Sequence, residues 1–278
     1  MKLPIRIQQL PEFIKQSWQR SLILRSSVDR KPTFRLCYFS CHSYYRYLVC
    51  ALHSLKNSAT AVRYEVIVFN DLEMPLSSNQ IQKLEQLIPG IRVIPWPKSM
   101  GWGAEQIGWI WKAYALAAEG AGDDDIIARV DSDVFFFNDR VFRAVERSGA
   151  DLVGDGHYVN FEFCQGGCYF FRASAIRKIL AMQATDSIES LAPQLQVVVE
   201  DVAATFFARR LNLKVWMMWF MMFPDELRNA GRLSSWQRWK FSCAHFVMKN
   251  KAAMLVAYER DVLTAAGIPE FRELLDAN

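Results

Sequence analysis

The sequence predicts an α/β fold: a Rossmann-like, mostly parallel central sheet with helices on both faces. Apolar runs of strand length alternate with helix-period stretches from Phe34 onward, the pattern of strands joined by crossover helices. The run Ile126-Ile-Ala-Arg-Val-Asp131-Ser-Asp133-Val-Phe-Phe-Phe137 places two carboxylates at the end of an apolar strand, the edge at which open α/β sheets bind ligands. With 278 residues, 51% of them hydrophobic and 22% charged, the chain can bury a large core. A net charge of +4 is too small to argue for nucleic acid, and no nucleic-acid partner is expected.

Residues 1–33 read as a basic arm, in which Lys2, Arg6, Lys15, Arg20, Arg25, Arg30 and Lys31 face only Glu12 and Asp29. No uninterrupted apolar stretch makes a signal peptide of it. Phe13, Ile14, Trp18, Leu22 and Ile23 fall near helical spacing, which suits packing on the parent domain or, more sharply, peripheral contact with an anionic membrane. Phe34 to Ser40 is the first strand, and Ser43 is the expected N-cap of a helix from Tyr44 to Asn57. Tyr64 to Phe69 is the second strand and ends at Asn70-Asp71. A helix from Ser78 to Ile88 stops at Pro89-Gly90, and Ile91 to Ile94 is a third strand. Glu105 to Glu119 is helical through Ile107, Ile110, Trp111, Tyr114 and Ala118. The triplet Asp123 to Asp125 then reads as a surface loop before the strand that carries Asp131. Six cysteines without a C-x-x-C pair read as reduced, buried thiols of a cytosolic protein, and no zinc site is visible. No internal repeat is found.

Asp131 and Asp133 project from one face of an extended chain. Held that close, like charges repel unless a cation lies between them or one binds a proton. A divalent ion bridged to a diphosphate is a common reason for such a pair. The sheet edge also carries Ser40, Cys41 and His42, then Asn70 and Asp71, where a nucleotide base would fit. Ser40-Cys-His-Ser43 is neither a dinucleotide fingerprint nor a Walker loop, which disfavours nicotinamide and P-loop chemistry. Downstream, Phe163 to Phe171 is a strand broken by Gly166 and Gly167, marking either a bulge or a close approach by another group, and a helix capped at Ser174 follows. Val197-Val-Val-Glu200-Asp201 opens a helix running to Asn212. Its two acids suit the helix dipole, and equally a general base. Val215 to Phe223 is an apolar run too short for a membrane span, read as a buried final strand. Cys243-Ala-His245-Phe-Val-Met-Lys249-Asn-Lys251 sets a histidine before two lysines suited to a diphosphate. Between Arg209 and Lys251 the chain is basic, with Trp236 and Trp239 interleaved, a surface for anionic lipid or an acidic glycan.

These motifs together resemble the GT-A fold glycosyltransferases, which use nucleotide-diphospho-sugars and usually a divalent metal. The resemblance spans about Phe34 to Lys251, with a nucleotide-sugar half to about 137, an acceptor half after it, and a C-terminal helical tail at 252–278. It implies that Asp133 binds metal and that Asp131 contacts ribose or metal. Ser40 and Asp71 would border the nucleotide, and Gly166 and Gly167 the sugar and acceptor. Glu200 or Asp201 would be the base of an inverting enzyme. His245 would bind metal, and Lys249 or Lys251 the diphosphate, as in retaining members. The chain departs from the family in lacking the glycine and Pro-Trp that often surround the late histidine, and it mixes inverting and retaining features. A histidine ligand favours manganese over magnesium. The expected activity is metal-dependent transfer of a sugar to an acceptor hydroxyl on a glycan or lipid-linked acceptor, in surface-glycan synthesis of bacterial type. The expected location is cytoplasmic, peripheral on the inner membrane face. A sugar-nucleotide nucleotidyltransferase would carry a glycine-rich basic loop after the first strand. An inactive glycan-binding member would have lost a metal ligand.

Overall fold

The computed structural model describes residues 14, 31–98, 101–158, 162–223, 233–246 and 251–276. The arm expected at 1–33 lies almost wholly outside them. In chain order the elements are β1 (Phe34–Ser40), α1 (Tyr45–Ser58), β2 (Tyr64–Asp71), α2 (Ser78–Leu87), β3 (Arg92–Trp96), α3 (Ala104–Ala118), β4 (Ile126–Asp131) and β5 (Val134–Phe136). There follow α4 (Arg140–Ser148), β6 (Leu152–Tyr158), β7 (Glu162–Arg172), α5 (Ala173–Gln183), α6 (Ile188–Leu191), α7 (Glu200–Arg210), β8 (Val215–Met218) and β9 (Met221–Met222). The last are α8 (Ser235–Lys240), β10 (Cys243–His245), α9 (Lys251–Asp261) and α10 (Ile268–Leu275).

A seven-stranded sheet has the order β3-β2-β1-β4-β7-β6-β8. Its first half is parallel, and β7 runs antiparallel to both β4 and β6. The register sets Ser40 beside Asn70 and Phe39 beside Asp131, so the carboxyl ends of β1, β2 and β4 share one edge. Period-two alternation divides the interior between the two faces of the sheet. Leu36 and Tyr38 join α1, α4, α9 and α10 in one core. Cys37 and Phe39 join α3, α5 and α7 in the other. All six cysteines are buried, and none forms a disulfide. Among the described residues no helix is long and apolar enough to cross a membrane.

The structure corrects several local expectations. The run from Val215 to Phe223 is not one strand: β8 belongs to the large sheet and β9 to a second sheet of order β5-β10-β9. Asp155, buried beneath the corner, makes the break by accepting the N–H groups of Phe220 (2.8 Å) and Met221 (2.7 Å). Ser43 is no N-cap but lies within a 3-10 turn, His42–Tyr44, that leads into α1. Ser174 is not one either, because α5 starts a residue earlier. Its first amides donate to the carbonyls of Asp125 (2.8 Å) and Asp123 (3.2 Å). The acidic triplet is only partly surface: Asp125 is buried and accepts from Thr33 N (2.9 Å) and Gly122 N (2.8 Å). The helical tail expected after Lys251 is α9 and α10, and both pack on α1. Tyr45 donates to the Leu274 carbonyl at 2.7 Å, and the Tyr258 hydroxyl lies 2.8 Å from His53 Nδ1.

Candidate active site

The end of β4 is built by a short excursion. Ser132 Oγ donates to the Phe39 carbonyl at 3.2 Å, turning the chain so that Asp133 leaves the large sheet and β5 begins the small one. β5 pairs antiparallel with β10, setting His245 opposite Val134, and Phe246 N donates to the Asp133 carbonyl at 2.9 Å. Residues more than a hundred positions apart thereby meet. His245 Nε2 is 3.2 Å from Asp133 Oδ1 and 3.8 Å from Asp131 Oδ2. The imidazole fits because β7 offers no side chain against it. A Cβ on Gly167 would come within 2.3 Å of His245 Nδ1.

One ligand atom from each of Asp131, Asp133 and His245 falls within 4.8 Å of the others. Two carboxylates and an imidazole suit manganese and related divalent ions. Asp133 Oδ1 is buried and accepts no hydrogen bond among the described residues, so it retains a lone pair for a cation. Its other oxygen lies 2.8 Å from the Lys251 ammonium, which also donates to Tyr44 OH at 2.7 Å and sits over that ring. Burial alone would raise the Asp133 pKa, but His245 and Lys251 beside it hold the carboxyl below its ordinary value. The donor set fits a divalent metal.

A second cluster adjoins the first through Asp131. Arg129 Nε and Nη2 reach Asp131 Oδ1 at 3.0 and 2.9 Å, and Nη1 contacts Glu200 Oε2. Glu200 also accepts the Tyr169 hydroxyl, which in turn meets Tyr114. Asp201, the next residue in the first turn of α7, accepts Gly166 N at 3.1 Å and Val202 N at 2.8 Å. Burial raises its pKa, against the pull of Arg129.

Both clusters line one cleft of about 510 Å³. Asp131, Asp133, Gly166, Gly167, His245, Glu200, Asp201 and Lys251 all border it. Ser40 and Asp71 do not. Both are buried at their strand ends, where Asp71 accepts Glu73 N at 2.8 Å and shapes the turn after β2. Lys249 lies outside the described residues. Sequence reasoning missed Arg129, Tyr169 and Tyr44. Arg129 had left a signal, a lone charge inside the apolar run of β4; Tyr169, set between Cys168 and Phe170, had left none.

The sheet topology, with the Asp131-x-Asp133 pair at the end of β4, is that of the GT-A fold. More particularly, residues 38–166 match the family model of glycosyl transferase family 2. No curated protein matches the chain by sequence. Similar solved structures include the bifunctional glycosyltransferase WbbM in its apo form, at TM-score 0.56 and 10% identity over 90% of this chain and 52% of that one. An active-site variant of LgtC aligns at TM-score 0.52 and 16% identity, over 86% of this chain and 94% of that one. The galactosyltransferase LgtC with donor and acceptor sugar analogues gives TM-score 0.49 and 15% identity, over 87% and 95%. At these identities the likeness is one of fold.

Proposed function

We propose that this chain is a metal-dependent glycosyltransferase that moves a sugar from a nucleotide-diphospho-sugar to an acceptor hydroxyl. The observation that carries the reading is the charge of the cleft. Among the described lining residues, Asp131, Asp133, Glu200 and Asp201 face only two fixed cations, Arg129 and Lys251. The formal excess of two negative charges would repel a diphosphate, and a divalent ion removes it. Held by Asp131, Asp133 and His245, such an ion would neutralise charge developing on the departing nucleoside diphosphate. Lys251 stands beside the same position and adds a second cation for the phosphates.

The acceptor side is assigned to Asp201. Its raised pKa and its place in the cleft suit a general base, whereas Glu200 is bound to Arg129 and Tyr169. In the reaction proposed, the acceptor oxygen forms a bond to the anomeric carbon, and the bond from that carbon to the phosphate oxygen breaks. The hydroxyl proton passes to Asp201, and one displacement of this kind inverts the configuration. A nucleotidyltransferase is disfavoured because a 3-10 turn, not a glycine-rich basic loop, follows β1. An inactive glycan-binding chain is disfavoured because three metal donors converge.

Attachment to an anionic membrane, with a lipid-linked or glycan acceptor and a place in surface-glycan synthesis, is favoured by α8. Trp236 and Trp239 are 59% and 69% exposed there, and Lys240 lies among the rings of Trp219, Trp236 and Phe241. The transfer reading is tested by thermal shift with nucleoside diphosphates and sugar nucleotides, each with and without Mn²⁺. Stabilisation by one nucleotide family only when Mn²⁺ is present is expected. A panel with no metal-dependent response overturns the reading.

A further inference from the structure

We propose that Arg129 is a positioning residue that locks the Asp131–Asp133 motif to the acid-bearing helix α7, and that Glu200 is its partner rather than a base. The kinetic arm of this inference rests on the transfer reading; the structural arm does not.

The position is unusual for an arginine. Arg129 lies mid-sheet on β4, between Cys37 of β1 and Tyr169 of β7. Its side chain is only 15% exposed. Period two puts Ile127, Arg129 and Asp131 on one face, the face covered by α3 and α7. A cation in that layer is tolerated only if anionic partners balance it. The guanidinium lies between two carboxylates on different elements. Two nitrogens converge on Asp131 Oδ1, and the third contacts Glu200 at the start of α7. Oδ1 is thereby engaged, and Oδ2 is the oxygen directed to His245. Glu200 is fixed from a second side by the Tyr169 hydroxyl on β7. Asp201 follows Glu200 in the same helical turn, so the anchor that holds Glu200 also sets where Asp201 meets Gly166 N. A planar fork can span both carboxylates, whereas a single ammonium cannot.

The test must separate positioning from plain charge balance. Arg129→Met alone leaves the Glu200 carboxylate buried without its cation and should melt well below the parent. The double variant Arg129→Met/Glu200→Gln removes both charges and should regain most of that melting temperature. Arg129→Lys keeps the charge but not the fork, and decides the matter if the double variant does not fold. Amide hydrogen exchange over 165–167 and 199–204 is the first readout. Positioning predicts exchange at least about tenfold faster than in the parent, in the stable double variant or in Arg129→Lys. Mn²⁺-dependent hydrolysis of the sugar nucleotide that gives the largest thermal shift is the second. Positioning predicts a kcat lower by about 100-fold or more, with KM within about threefold. If the folded variants exchange and turn over like the parent, Arg129 only balances charge and the inference is wrong. If the parent hydrolyses no sugar nucleotide, the transfer reading fails, and the exchange data still decide the role of Arg129.

Discussion

Gly167 offers the sharpest test of the candidate metal centre, because substituting it touches no ligand chemically. A Cβ added there would lie 2.3 Å from Nδ1, 2.6 Å from Cε1 and 2.8 Å from Cγ of His245. Ordinary contact begins near 3.4 Å, so the ring must retreat by about 1 Å or β7 must shift. His245 has little room, being 4% exposed with the Phe223 ring 5.5 Å away. Overpacking of this kind costs about 1–3 kcal/mol, or a few degrees of melting temperature in a chain of this size. The effect on metal should be larger. Losing only the outer partner of a metal ligand typically weakens affinity about 10–100-fold, and displacing the ligand itself should do at least as much. Gly167→Ala is therefore expected to weaken Mn²⁺ binding at least about tenfold by calorimetric titration, while the protein stays folded. Gly166→Ala is the control. Its Cβ meets Asp201 Oδ2 at 3.1 Å, where a carboxylate can turn aside, and Mn²⁺ affinity should be unchanged. Gly167→Ala/His245→Ala should melt above Gly167→Ala, since the new methyl group then has space. Parental Mn²⁺ affinity in Gly167→Ala would refute the assignment of His245.

Lys251→Gln removes a fixed cation 2.8 Å from Asp133. It should tighten Mn²⁺ binding in the absence of nucleotide and weaken nucleoside diphosphate binding in its presence; a change of the same sign in both titrations sinks the dual role. Asp201→Asn should lower turnover by about 10²–10⁴-fold with donor affinity near normal. Because burial raises the Asp201 pKa, the acid limb of the parent's kcat/KM profile should lie above about pH 4, the ordinary carboxylate value; a limb at or below that value argues against this base. Asp133 acts in the opposite sense on apo stability. Its pKa is lowered in the fold, so its stabilisation is present above the ordinary aspartate value of about 3.9 and is lost as pH falls through the folded one. Asp133→Asn should reduce that acid dependence of the melting temperature. For membrane attachment, each basic side chain near an anionic surface contributes about 1 kcal/mol. The protein should sediment with anionic vesicles at low salt and be released at high salt. Finding it in the supernatant at low salt rules the attachment out.

The fold was legible wherever one local period governed a whole element. β1, β2, β4 and the three helices between them follow from alternation and from helical spacing, and their boundaries moved by only a residue or two. What escaped the sequence was decided by groups distant in the chain. Nothing within Val215 to Phe223 says that it must break; the cause is the carboxylate of Asp155 beneath Phe220 and Met221. Likewise the first turn of α5 is capped by carbonyls of the acidic loop, so Ser174 was the wrong place to look for a cap. The site was legible as residue types. Aspartates, glycines, paired acids, a late histidine and lysines were all singled out, and the structure gathers most of them around one cleft. Their pairing was not legible. That Glu200 belongs to Arg129 while Asp201 belongs to Gly166 depends on how α7 lies across β7, which no spacing along the chain encodes.

That pairing gives the two carboxylates of the D-x-D motif different neighbours. Asp133 is enclosed by His245 and Lys251. Asp131 divides its oxygens, one to Arg129 and the other toward His245. It is thus common to the cluster that would hold the metal and the cluster that sets the acids of α7. Two independent sites would let either cluster shift alone by the few tenths of an ångström that ordinary motion allows. Sharing a carboxylate on a buried, fully paired strand removes that freedom, and geometry held to about half an ångström is what a displacement between two bound molecules requires. The small sheet is what makes the sharing feasible. Without β5 leaving the large sheet at Asp133, β10 would pair with β9 alone, and nothing would tie His245 to the end of β4.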